Sequence, residues 1–318
     1  MTPFKFGFLC YCFLPFAAVA QVDTVLKPSR LVELNYDNDF FSATDRYYTQ
    51  GIYLKFASPF IKKSPVSKLL MRLYRPSVND YSIQLEQDVF TPRSIRHEGI
   101  YYGERPFTAL LFIRHECASS DLKRKQRLIT QLDLGVLGPY AKGEEEQKGI
   151  HKALNNIQPL GWENQLSTDI IINYNIGFEK GLIEIKFLQW MALGEIKLGT
   201  LYDQAGAGTL LRLGWMRNYF EGSRLVSPTE TRKWECYVFG KVMGKAVGYN
   251  ATLQGGLFNK DIYALSTAEV KRGVATAYTG LVLSYKNVRL EYTNVFISPE
   301  IENGLTHGWG NCAITVYF

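Results

Sequence analysis

Stretches of about ten residues that alternate apolar and polar side chains recur through this chain, and that alternation limits its fold more than any other feature. In RLVELNYD, Val32, Leu34 and Tyr36 share one face, and Glu33 and Asn35 share the other. GIYLKFAS puts Ile52, Leu54 and Phe56 together, and SIQLEQDVF sets Ile83 and Leu85 against Gln84 and Glu86. The last residues, NCAITVYF, carry Cys312, Ile314, Val316 and Phe318 on one side. A period of two belongs to a strand, because successive side chains point to opposite faces. Segments of this length with one apolar face are the signature of an outer-membrane barrel, and a soluble barrel or sandwich can show the same pattern.

The start of the chain favours the membrane reading. MTPFKFGFLCYCFLPFAAVAQ has Lys5, an apolar run from Phe6 to Phe16, and the small-x-small triplet Ala18-Val19-Ala20. These features predict a secretory signal over residues 1–20, cut before Gln21, and a barrel over 21–318. No later run reaches the ~18 apolar residues of a membrane helix. Twenty tyrosines and nineteen phenylalanines suit strands and interfacial girdles. The net charge of +6 is spread without a long Lys/Arg block, so no nucleic-acid partner is expected. Cys10 and Cys12 leave with the leader. Cys117, Cys236 and Cys312 show no metal spacing and cannot all pair.

The pattern predicts an all-β transmembrane antiparallel barrel of about twelve strands, at 30–38, 48–58, 80–89, 106–116, 126–137, 168–179, 182–194, 205–216, 234–247, 272–286, 288–298 and 309–318. NATLQGGLF (250–258) is assigned to a loop, because an odd count would put the two ends on opposite sides of the membrane. With both ends periplasmic, the connections at 39–47, 90–105, 138–167, 195–204, 248–271 and 299–308 face outward. The inner connections 59–79 and 217–233 are long for periplasmic turns. The first holds a basic, helix-like piece, KKSPVSKLLMRLYR.

Polar side chains collect on the outward connections. Asn38, Asp39 and Asp45 lie in or beside the first, with Thr49 just past it; Gln87-Asp88 and Glu104-Arg105 flank the second. A short helix over 144–154 in the third places Gln147 and His151 four apart on one face. A neutral histidine takes a proton from water near pH 7, and oxygen-rich side chains suit a hard cation such as calcium. Beside a lipid surface, that combination points to water-mediated ester hydrolysis. The mature chain has no GxSxG elbow, and HKALN is not the HExxH of zinc proteases.

LNYDNDFF, TDRYYTQG, QLEQDVFTPR, GERPF, LGVLGPYAKGEEEQKGIHK and GWENQL together resemble the outer-membrane lipid A 3′-O-deacylase family of the LpxR type, in register from about residue 30 to 167. The resemblance implies a twelve-stranded barrel that uses calcium to remove the 3′-linked acyloxyacyl group of lipid A, or of lipopolysaccharide, in the outer leaflet. It implies a histidine that activates water, as in secreted phospholipase A2. The family's Asn-Asp pair falls on Asn38 and Asp39, its threonine on Thr49, and its glutamine and histidine on Gln147 and His151. This implies catalytic roles for His151, Asn38, Thr49 and Gln147, and calcium ligation by Asp39 and Thr49. The basic residue that would bind substrate is set at Arg96, with Arg93 and His97 as alternatives. One family glutamate, six residues after the histidine, falls on Ile157, and Glu144, Glu146 and Glu163 are the candidates to replace it. Asp88, Glu104, Arg105 and Trp162 are expected to be structural, and Glu144–Glu146 to be a solvated helix start. The expected protein is a monomer in the bacterial outer membrane, its site at the extracellular rim. A non-catalytic structural or porin-like barrel on the same scaffold is the alternative.

Overall fold

The computed structural model describes residues 30–39, 46–74, 77–220 and 234–318. The candidate leader and Asp45 lie outside the described residues. Twelve antiparallel strands close on themselves: β1 (Leu31–Asn38), β2 (Tyr47–Ala57), β3 (Val78–Thr91), β4 (Thr108–Asp121), β5 (Gln126–Leu137), β6 (Asp169–Ile185), β7 (Leu188–Gly199), β8 (Tyr202–Trp215), β9 (Trp234–Asn250), β10 (Gly273–Tyr285), β11 (Val288–Ile297) and β12 (His307–Tyr317). Each strand pairs with its sequence neighbours, and β1 pairs with β12. Two helices lie between strands, α1 (Gly143–Ala153) and α2 (Ala251–Gln254). The 250–258 segment starts with α2, whose first turn is capped where Asn250 Oδ1 accepts the Thr252 N–H at 3.0 Å. It is not a strand, and the even count stands.

Register shows which alternation faces lipid. Ile314, Leu34, Leu54, Leu85, Ile113, Leu134 and Ile172 are successive cross-strand partners, and all seven are exposed. They form one row of an apolar belt, where a lysine or arginine at mid-membrane would cost about 2–4 kcal/mol. Trp215, Trp234, Phe187 and Tyr285 stand exposed near the end of the barrel that carries residues 30 and 318, as an aromatic girdle does. The opposite side chains fill the lumen with ion pairs. Arg114 binds Asp133 at 2.7 and 3.0 Å and Glu86 at 3.0 Å, and Lys55 binds Glu116 at 2.8 Å. At the distal end the lumen is filled by Phe90, Leu110, Phe112, Leu137, Ile171 and Leu201. Above them the buried Arg105 binds Glu300 at 2.5 Å and Thr252 Oγ1 at 3.0 Å.

Two boundaries differ from expectation. The turn between the sixth and seventh strands falls at Lys186–Phe187, not near 180, because Gly181 sits at a register shift inside β6 rather than in a turn. The connection expected over 195–204 shrinks to residues 200–201. The described parts of the two long inner connections also fold onto the barrel. Residues 58–74 lie against its outer wall: Ile61 and Leu70 pack on Tyr81 and Cys117, and Ser67 Oγ meets His115 Nε2 at 2.8 Å. Residues 216–220 enter the lumen, where the Tyr219 carbonyl accepts from Arg127 Nη2 at 2.5 Å.

Candidate active site

Arg105, Thr252 and Glu300 cap the lumen, while other parts of the 92–107 and 138–167 connections cover the outside of the wall. Val89, Ala109, Leu111 and Val136 have lipid-facing parity, yet Val89 and Ala109 are fully buried. They pack under Ile95, Phe107, Ala141 and Trp162, which come from the 92–107 and 138–167 connections. Gln87, on the same face, donates to the Ala141 carbonyl at 2.7 Å and ties the second connection to the wall. α1 starts on this platform at a glycine because nothing larger fits. A Cβ on Gly143 would lie 2.5 Å from the Ala109 Cβ and 3.1 Å from the Trp162 ring.

This packing turns one face of α1 to the wall, with Gly143, Gln147 and His151 buried. Trp162 Nε1 donates to Gln147 Oε1 at 2.8 Å, so the tryptophan that reads as packing also orients a candidate catalytic side chain. His151 Nδ1 meets the Ile157 carbonyl at 2.5 Å. A carbonyl can only accept, so Nδ1 carries the proton, and in the neutral ring Nε2 is the acceptor. The main chain at Ile157 therefore orients the histidine.

The glutamate run does not behave as one solvated group. Glu144 pairs with Lys148 at 2.6 Å and Glu145 with Lys142 at 2.7 Å, on the solvent side of the helix. Glu163 is exposed beside Asn164. Glu146 turns inward, against the side-chain amide of Gln50. Burial pushes its carboxyl pKa above the ordinary value, and the Gln50 amide opposes that rise. Glu146 Oε2 and Gln50 Nε2 face each other without a close hydrogen bond, and on the next residue of α1 Gln147 Nε2 is also buried without a hydrogen-bond partner among the described residues. Buried polar atoms are normally paired, so this group has the character of a site for a polar ligand.

The tops of β1 and β2 complete the arrangement. Asn38 is the cross-strand partner of Gln50, and its Nδ2 donates to the Tyr36 hydroxyl at 3.0 Å. Both Asp39 and Glu146 stand close enough to Tyr36 to act on its hydroxyl electrostatically. Asp39 is buried and accepts the Arg46 N–H on Oδ2 at 2.9 Å. Thr49, also buried, lies at the register shift between Tyr48 and Gln50. Two residues earlier Tyr47 holds φ +63°, a left-handed backbone that costs an aromatic residue about 1–3 kcal/mol and marks functional positions. Through Gln50 and Tyr36, the tops of β1 and β2 with Asn38 and Asp39 lie beside the Glu146 side chain of α1. Arg96 stands apart, exposed on the 92–107 connection; its neighbour Ile95 accepts the Leu160 N–H at 2.7 Å. Asp88 faces the lumen, where its Oδ1 accepts from the Tyr48 hydroxyl at 3.0 Å, so it has no part in the outer site.

Among the described residues no three His, Cys, Asp or Glu side chains cluster as a transition-metal site would require. The donors present are oxygens: two carboxylates (Asp39 and Glu146), the Thr49 hydroxyl and nearby amides. That set, with a buried carboxylate oxygen lacking a partner, fits a hard cation of the calcium type.

A closed twelve-stranded barrel with an apolar outer belt and a polar group between its outer wall and a loop helix defines an outer-membrane β-barrel protein. A sequence model described as outer membrane protein LpxR matches residues 7–318, and the chain belongs to that family. The structure of LpxR from Salmonella typhimurium superposes with a TM-score of 0.70 at 22% identity, covering 91% of this chain and all of that one, and shows the same fold. The β-domain of the Bordetella autotransporter BrkA (TM-score 0.45, 8% identity, 91% and 98% covered) and the NanC porin (0.40, 5%, 90% and 98%) share only the general form of a barrel. No curated protein sequence matches the chain.

Proposed function

We propose that this protein is a lipid A 3′-O-deacylase, which hydrolyses the 3′-linked acyloxyacyl ester of lipid A with its site at the extracellular rim. Membership of the family supports the substrate class. One structural observation carries the reading: Gln147 and His151 face the outer wall, not the lumen. A site on the lipid side of a barrel takes its substrate sideways from the membrane. A pore would need an open path, and here apolar side chains pack together across the distal lumen.

His151 Nε2 takes a proton from water as the water oxygen adds to the ester carbonyl carbon, and the Ile157 carbonyl holds the ring in the tautomer that can do so. Gln147, fixed by Trp162, and Asn38 offer side-chain amides to the reacting groups. The proton then passes from His151 to the departing sugar oxygen. Asp39 and Thr49, with Glu146 in place of the missing glutamate, would hold calcium, which supplies positive charge to the carbonyl oxygen when bound. Arg96 is assigned to a substrate phosphate, at the rim beside the chain segment that closes over His151. The signal over 1–20 and a monomeric state complete the proposal.

The test is hydrolysis by the refolded barrel in detergent with lipid A, read by mass spectrometry of the product. One 3′ acyloxyacyl group should be lost with calcium, and far less with chelator or magnesium, because calcium tolerates an irregular oxygen shell. Hydrolysis that is equal in excess chelator would remove the cation from the proposal. No product under any condition would favour the non-catalytic barrel.

A further inference from the structure

The connection between β2 and β3 lies at the end of the barrel opposite the site. It covers wall positions that would otherwise meet lipid. Two short 3₁₀ turns, Pro59–Lys63 and Pro65–Lys68, run along the outside. Their inner face is anchored. Ile61, Ser67 and Leu70 are buried against Tyr81, Cys117 and His115, and the Tyr174 hydroxyl donates to the Leu69 carbonyl at 3.0 Å. Thr130 Oγ1 donates to the Met71 carbonyl at 2.9 Å, and Ser119 Oγ accepts the Leu73 N–H at 3.0 Å. These contacts tie the segment to the wall along its length.

Its outer face mixes two kinds of side chain. Phe60, Leu69, Met71 and Tyr74 are exposed apolar or aromatic groups, with Tyr74 89% exposed. Lys62, Lys63, Lys68 and Arg72 are exposed cations, and residues 58–74 contain no acid. A groove of about 890 Å³ is lined by Lys62, Lys68, Arg72, Leu69, Met71 and Tyr74. In water, four large apolar groups between four like charges would be unfavourable. At a membrane interface both find partners: the apolar groups enter the acyl region and the cations meet anionic headgroups. The aromatic girdle near the same end sets the interface at this height.

We propose that the 59–74 segment is an interfacial platform that binds anionic phospholipid headgroups of the leaflet at the terminal end. In the orientation proposed above this is the periplasmic leaflet, but binding itself depends on neither orientation nor hydrolysis. Seating the barrel on phospholipid at one end would fix the height of its opposite rim, and hence of α1, in the membrane.

The experiment uses the full barrel in nanodiscs of phosphatidylcholine with about one part in four phosphatidylglycerol. Lipids retained after release are identified by native mass spectrometry. The wild type should retain phosphatidylglycerol in preference to phosphatidylcholine. Each cation at an anionic surface is worth about fivefold. Lys62→Gln, Lys63→Gln, Lys68→Gln and Arg72→Gln combined should therefore cut that preference at least about tenfold. A control lowers the charge equally on the other rim, with Lys142→Gln, Lys148→Gln, Lys152→Gln and Lys260→Gln, and should keep the preference. Heat-modifiable migration on gels confirms that each barrel has folded. A wild type without preference, a platform variant that keeps it, or a control that loses as much would each overturn the proposal.

Discussion

Trp162→Phe isolates the packing that holds the candidate site. Trp162 is fully buried, and its Nε1–H is the donor to Gln147 Oε1 at 2.8 Å. Gln147 is 1% exposed, and its Nε2 already lacks a partner among the described residues. Phenylalanine keeps a ring against Phe107, whose centroid is 4.8 Å from that of Trp162, but leaves the whole Gln147 amide buried without its donor. An orphaned buried acceptor costs about 1–3 kcal/mol, which corresponds to about 5- to 150-fold. The amide will turn to find a partner, and His151, one helical turn along the same face, will move with it. Protection of α1 against proteolysis should fall by that factor, as should kcat/KM for release of the 3′ acyl group, while the heat-modifiable barrel stays intact. The double variant Trp162→Phe/Gln147→Met removes both polar partners, and such paired replacements are nearly neutral. It should regain protection but not activity. Trp162→Phe with activity within twofold of wild type would refute the reasoning, as would a double variant that recovers hydrolysis.

Three shorter predictions follow from the same geometry. Burial raises the Glu146 pKa above its ordinary value of about 4.5, so without calcium the packing of α1 is most stable below that value and weakens as pH rises through the raised one. Calcium needs the ionised form, so its affinity should fall on acidification over the same range. Glu146→Gln should flatten both profiles and weaken calcium binding measured by calorimetry; unchanged affinity would exclude Glu146 as a ligand. Ile157→Ala should keep activity within about threefold, because the contact to His151 Nδ1 comes from the main chain. Cysteine at the exposed Asn155, in a background without native thiols, should react with an impermeant maleimide on whole cells, and cysteine at Lys63 only once the outer membrane is opened; the reverse would invert the barrel.

The barrel was legible because lipid and lumen impose opposite demands on alternate residues. Leu34, Leu54 and Leu85 therefore stand out against Glu33, Lys55 and Gln84. That Gln147 and His151 share one face of a helix was legible in their spacing of four. The location of the site outside the wall was not, because Val89, Ala109 and Leu111 give the same apolar parity whether lipid or a folded loop covers them. The difference between Glu146 and its two neighbours is one of helical phase, which decides only once the buried face of α1 is known. The role at Ile157 belongs to a carbonyl, which every residue has, so no side chain announces it. Gly181 misled because a glycine at a register shift looks like a glycine in a turn.

The central claim is that a histidine on the lipid side of the wall hydrolyses lipid A. The most direct measurement is mass spectrometry of lipid A from a host bearing its full acyl set, expressing either the wild type or His151→Ala as folded outer-membrane protein. The account predicts loss of one 3′-linked acyloxyacyl group with the wild type. It predicts at least about a hundredfold less product with His151→Ala, the scale of a missing general base. An unchanged spectrum with folded wild type, or equal deacylation by the alanine variant, would contradict it.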